Sequence, residues 1–256
     1  MNEPGDSAGA SSGWPWKWIA GLVLAGLVVV ACLLPAIQRP RELGGPRRSR
    51  HNLKVIGFAI HNYETRYRSL PPGWTEGPTE QRLQSWQTLL LPYVDQGPVY
   101  DRIRLELPWD DAANRDPCTT WVQAFAHPNV ERTDIRGYPV SHYAGNSQVL
   151  PAGRGLPFGK ISDGLSNTLF CGEVGAGAMP WARPGNVRDP AIGLGVSPEQ
   201  FGMKQPSGAE GACFVWLDGA VRYLDRKIDP AVLKALASPA GGEEVGDFLS
   251  AGSTPK

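Results

Sequence analysis

The stretch ACFVWLDGAVRYL, residues 212–224, sets two apolar runs on either side of Asp218-Gly219. An Asp-Gly pair suits the positive backbone angles of a two-residue hairpin turn, so this stretch predicts an antiparallel hairpin closed at Asp218 and Gly219. Just downstream, Asp229-Pro230 reads as a helix N-cap and first helical residue, with Val232, Leu233 and Leu236 on one face and Ser238-Pro239 as the stop. An apolar hairpin face needs a cover. Upstream, Leu53, Ile56, Ile60, Tyr63 and Tyr67 recur every three or four residues, which predicts an amphipathic helix from about Asn52 to Arg68, ended by Leu70-Pro71-Pro72-Gly73. The expected fold class is therefore α+β, with this helix packed on an antiparallel β-sheet that includes the hairpin. The 31 Gly and 24 Pro, spread along the chain, argue for a loop-rich domain of short strands.

Between these landmarks the signal is thinner. Trp86, Leu89, Leu90 and Tyr93 predict a short helix over residues 85–93, and helical turns are expected at 110–114 and 119–125. Strands are expected at Ser141–Tyr143, Gln148–Leu150 and Thr168–Cys171, separated by turn residues such as Gly145-Asn146 and Asp163-Gly164.

Further upstream, IAGLVLAGLVVVACLLPAI (residues 19–37) carries no charge and shows no polar face. It approaches the roughly 20 apolar residues needed to cross the hydrocarbon core, and Trp14, Trp16 and Trp18 stand at its entrance. The expected order is a disordered tail (1–17), a transmembrane helix (18–38), a basic linker (39–50), an α+β domain (51–245) and a disordered tail (246–256). The lipid bilayer is thus the first expected partner. Within the span, Val29-Val30-Ala31-Cys32 also has the form of a lipoprotein cleavage box, which would make Cys32 a lipidated N-terminus. The apolar run continues past Cys32, which favours an uncleaved span. Arg39, Arg41, Arg47, Arg48 and Arg50 on the downstream flank would place that side in the cytoplasm by charge, a rule that weakens when a whole domain follows the span.

With 25 basic and 25 acidic residues the net charge is zero, and a nucleic-acid partner is not expected. Cys118, Cys171 and Cys213 have no zinc-ligand spacing and permit at most one internal disulfide; no cofactor is expected. Gly5-Asp6-Ser7-Ala8-Gly9 fits a nucleophile-elbow pattern but lacks the flanking strand and helix that such an elbow needs.

Several segments together resemble a bacterial family of pilin-like proteins, a domain of unknown function that carries a prepilin-type cleavage and methylation signal. The resemblance rests on residues 51–57 (HNLKVIG) with His61-Asn62-Tyr63, on Leu70-Pro71-Pro72-Gly73, and on Tyr143-Ala144-Gly145-Asn146. It continues through residues 161–168 (ISDGLSNT) with Gly172-Glu173, residues 180–184 (PWARP), residues 214–224 and Ile228-Asp229-Pro230. It implies a pilin- or pseudopilin-like architecture, a domain outside the cytoplasm, and protein partners in an envelope or secretion-type assembly. The sequence departs from the family in three places. The span has no acidic residue of the prepilin signal, Gly208 stands where relatives carry a His ten residues before the hairpin Asp-Gly, and His127-Pro128 replaces a Cys-Pro pair.

Polar residues in the matched motifs are the candidate site: Asn62, Asn146, Asp163, Asn167, Glu173 and Asp218, with Gly219 at the turn. Converging carboxylates can serve as acid and base or hold a hard cation, while turn formation and backbone pairing explain the same residues structurally. His51, His61, His127 and His142 show no metal-binding spacing. The chain is expected not to be an enzyme but a membrane-anchored assembly protein. The alternatives are a solute- or glycan-binding module using aromatic stacking and, more distantly, a hydrolase. The intact mass of the membrane-extracted chain should include Trp14 to Trp18; a chain beginning at Cys32 with added acyl mass would instead establish lipidation.

Overall fold

The computed structural model describes residues 48–204 and 208–243. The expected span with Cys32, both tails and most of the basic linker lie outside those residues. Among the described residues no helix is long and apolar enough to cross a membrane.

The first helix, α1, covers residues 48–67 and so is already formed in the last residues of the stretch read as linker. Leu53, Ile56 and Ile60 are fully buried and Tyr63 nearly so, as their spacing requires. Burial of each contributes about 1.5–3 kcal/mol. The helix ends where Arg68 takes a left-handed φ of 59° while its N–H reaches the Glu64 carbonyl at 2.6 Å. Tyr67 departs from expectation: it is 49 % exposed, and Leu70, beyond the turn, is the residue buried in the core.

Strands β1 (Trp74–Glu76) and β2 (Arg82–Ser85) pair antiparallel and lead into helix α2 (Trp86–Leu90). Ser85 caps α2 by accepting the Thr88 N–H at 3.0 Å. Instead of one helix over 85–93, α2 gives way to a 3₁₀ turn at Leu91–Tyr93, where Pro92 has no N–H to continue the ladder. Short helices α3 (Gly97–Tyr100) and α4 (Arg115–Cys118) follow, with 3₁₀ turns at Ala112–Asn114 and Gln123–Phe125.

The remaining strands are β3 (Asp134–Ile135), β4 (Tyr138–Ser141), β5 (Tyr143–Asn146), β6 (Leu169–Glu173), β7 (Met179–Pro180), β8 (Val187–Arg188), β9 (Met203–Lys204), β10 (Glu210–Trp216) and β11 (Val221–Asp225). Helix α5 (Pro230–Ala237) starts at Asp229, whose side chain accepts the Ala231 N–H. The main sheet runs β11-β10-β6-β5-β8, with β9 also on β10; its pairs are antiparallel except β5 with β8. A smaller sheet joins β3, β4 and β7. The strand expected at 141–143 is therefore divided at His142. The one expected at 148–150 is a turn, because the Asn146 side chain accepts the Gln148 N–H and the Asn146 carbonyl accepts those of Val149 and Leu150.

Strand β10 is buried on both faces, which explains its unbroken apolar run. Cys213 and Val215 point into the core that α1 covers, while Ala212, Phe214 and Trp216 pack with Leu233 and Leu236 of α5. The hairpin exists, but its loop has three residues rather than two. Val215 pairs with Val221, the Trp216 N–H bonds to Ala220 at 2.9 Å, and the Gly219 N–H returns to Trp216 at 3.0 Å. Gly219 alone in the turn has positive φ, at 82°. Asp218 keeps an ordinary φ because its carboxylate accepts the Ala220 N–H at 2.8 Å, giving a type I turn followed by a left-handed glycine.

Helix α1 crosses this hairpin at Gly57, where an added Cβ would lie 2.9 Å from Val215 Cγ2 and 3.4 Å from the Gly219 Cα. Gly→Ala inside a helix ordinarily stabilises by about 0.5–1 kcal/mol. Gly57→Ala should reverse that sign, lowering the midpoint of thermal unfolding; a raised midpoint would mean that the helix does not rest on the hairpin this closely.

Candidate functional site

The apolar stripe of α1 is continued one turn toward the N-terminus by two polar residues, Ser49 and Asn52, and both are buried. Their partners lie on the sheet. Ser49 Oγ is 3.0 Å from the Tyr143 hydroxyl and donates to Glu173 Oε1 in a short bond. Glu173, 1 % exposed at the end of β6, accepts the Cys213 N–H of β10 on its other oxygen at 2.8 Å. Asn52 Nδ2 donates to the carbonyls of Ala126 at 2.8 Å and Gln123 at 3.2 Å. His127 completes the group, its Nε2 lying 3.5 Å from Glu173 Oε1. Since His127 Nδ1 accepts the Asn129 N–H, the imidazole proton is assigned to Nε2, facing the carboxylate. Behind it, His142 Nδ1 accepts the His127 N–H at 3.2 Å.

Burial sets the protonation of this region. It raises the Tyr143 hydroxyl well above the ordinary tyrosine range, with the Glu173 charge adding to it. It pushes the Cys213 thiol to about 12, again reinforced by Glu173, and the Cys171 thiol well above its usual value. Cys118, elsewhere in the core, is pushed to about 12 by burial and by Asp110. All three thiols are free and stay protonated, so none is an activated nucleophile.

The candidate residues divide into separate structural duties. Asn146 donates to the carbonyls of Leu169 and Ala237, both at 2.8 Å, joining β5 to β6 and to the end of α5. Asp163 accepts the N–H groups of Gly241 and Gly242, and Asn167 donates to the Asp163 carbonyl at 3.0 Å. Asp218 and Gly219 make the hairpin turn, and Asn62 stands exposed on α1. Of the set, Glu173 alone enters the buried cluster. The carboxylates of Asp163 and Asp218 are turned to backbone N–H groups, and among the described residues no three His, Cys, Asp or Glu side chains are grouped to hold a metal. His127 and His142, far apart by spacing from any ligand pattern, are brought together. Ser49, Asn52 and Tyr143 had one legible sign: two polar residues at the head of an apolar helical stripe must find buried partners.

Residues 46–155 match the family model described as a protein of unknown function (DUF1559). That family is associated with pilin-like, prepilin-type proteins. The matched stretch includes Ser49, Asn52, His127, His142 and Tyr143 but ends before Glu173 and Cys213. No curated protein and no solved structure matches the chain.

Burial of His142 is expected to make the domain acid-sensitive. Burial, with His127 adding to it, lowers the His142 pKa from 6.5 to about 4. Between those values the unfolded chain binds the proton and the folded one does not, so stability is complete above about pH 6.5 and falls toward pH 4, by up to about 3 kcal/mol. Melting curves should show this decline, and His142→Gln should flatten the slope over that interval even where it lowers stability throughout.

Proposed function

We propose that this is a single-pass, membrane-anchored, pseudopilin-like protein whose folded domain stands outside the cytoplasm and serves assembly or interaction, without a catalytic centre. The observation that carries the reading is the use made of the polar groups at the base of α1: they fasten that helix to the sheet. A helix that follows an apolar anchor and bears a whole domain needs such a joint.

The same cluster argues against a hydrolase. A serine triad needs the histidine between the hydroxyl and the carboxylate, so that imidazole takes the hydroxyl proton. Here the carboxylate stands between Ser49 and His127, and all three side chains are buried. The apolar stretch 19–37 and the similarity of residues 46–155 to a pilin-associated family support the anchor and its location.

The full chain, expressed in a bacterium with an N-terminal tag, should remain with membranes through an alkaline wash, and protease added to intact spheroplasts should degrade the domain. Release by the wash, or protection of the domain until the spheroplasts are lysed, would overturn the proposal.

A further inference from the structure

Strand β11 ends one side of the main sheet: it pairs with β10 and, among the described residues, with no other strand. Its bonding pattern is fixed at both ends, where the Trp216 N–H bonds to the Ala220 carbonyl at 2.9 Å and the Arg226 N–H to the Glu210 carbonyl at 3.0 Å. Bonded and unbonded pairs alternate along an antiparallel ladder, so Arg222 and Leu224 also turn their main-chain groups to β10. Val221, Tyr223 and Asp225 turn theirs outward, to the open edge. The Asp225 carbonyl accepts the Ile228 N–H at 3.0 Å, whereas the main-chain groups of Val221 and Tyr223 meet no partner among the described residues.

Sheets commonly blunt such edges with solvated charge. Arg222 is a different kind of charge. It is partly buried, its guanidinium carbon lies 4.9 Å from the Trp216 ring centre, and its Nη1 is buried without a hydrogen-bond partner among the described residues. It takes part in none of the ion pairs there. Trp216, fully buried on the neighbouring strand, likewise leaves its indole Nε1 without an acceptor. On the opposite face Val221 and Tyr223 pack against the core that α1 covers, so the edge has one cationic face and one apolar face. A second copy of β11 does not supply what is missing. Side chains on the Arg222 face are Ala220, Leu224 and Arg226, so a two-fold antiparallel pairing through the outward groups sets Arg222 opposite Ala220, Arg222, Leu224 or Arg226 of the second copy and never opposite an acid.

We propose that the outer edge of β11 takes an extended peptide segment of another protein, one acidic residue between two apolar ones, as an added antiparallel strand. The apolar residues bond to the main chain of Val221 and Tyr223 and lie on the face of those side chains. The acid between them falls on the other face, beside Arg222, whose guanidinium donates to its carboxylate. This rests on the reading of the domain as an interaction module but not on its anchor, so peptide binding and the membrane fractionation above can fail separately.

Fluorescence anisotropy of a labelled, end-capped peptide Thr-Val-Glu-Val-Thr, titrated with the full chain in detergent micelles, tests this. Saturable binding is expected, and Thr-Val-Lys-Val-Thr should bind about tenfold more weakly or worse. Methylating the main-chain nitrogens of both Val residues should abolish binding, because those N–H groups face β11, while methylating that of Glu leaves it within about twofold. Arg222→Gln, with a matched melting curve, should bring the Glu and Lys peptides within about twofold of each other. The peptide variants decide the matter even if that substitution disturbs folding. Absence of saturable binding overturns the proposal, as does equal binding of the Lys peptide or binding that survives methylation of both Val residues. A dimer of the full chain that the peptide dissociates would overturn it too, by assigning the edge to a second copy.

Discussion

The fold depends on how one buried carboxylate is satisfied. Removing an ionised group from water costs several kcal/mol unless hydrogen bonds and charge replace the lost hydration. Glu173 meets that cost with a hydroxyl from α1, an N–H from β10 and an imidazole from the loop before β3. None of these is its neighbour in sequence. Three elements are therefore held in one arrangement by a group that tolerates no other, because any displacement strands a buried charge. Hydrophobic burial alone would hold α1 on the sheet while allowing it to slide; the carboxylate fixes its position along the sheet.

Near the same cluster lies Arg50, whose Nε is buried without a hydrogen-bond partner among the described residues. Its charge and its bond to Cys213 both act to lower that thiol, against the larger effect of burial. A contrasting solution to charge burial appears at Arg188, which has no carboxylate partner among the described residues. Its guanidinium donates instead to the carbonyls of Ala176, Gly177, Ser197 and Gln200, and burial lowers its pKa to about 10. Both sites use charge to order loop-rich segments that contribute little apolar surface of their own.

Much of the framework was legible because it rests on local rules. The stripe through Leu53, Ile56 and Ile60, the Asp229-Pro230 helix start and the hairpin around Gly219 each follow from residues close in sequence. The failures were equally physical. Gln148–Leu150 has strand-like composition, yet the Asn146 side chain and carbonyl capture its N–H groups for a turn. The Asp218-Gly219 pair by itself predicts two left-handed residues, but the Asp218 carboxylate favours the three-residue loop. The candidate site was legible in one member, Glu173, since no spacing rule connects residues 49, 127, 143, 173 and 213.

That dispersion has a consequence for the nascent chain. The joint at the base of α1 draws on residues near the start of the domain and on an N–H from β10, close to its end. The central strand β10, flanked by β6 and β11, likewise follows most of the described residues of the domain. Contacts so distant in sequence form slowly, because loop closure precedes their reward. Until β10 arrives, Glu173 lacks the Cys213 N–H and the α1 stripe lacks the face formed by Cys213 and Val215, so the helix can dock only in part on the segments made before it. Completion of the sheet thus acts as a timer, withholding the rigid form of the domain until β10 has been made.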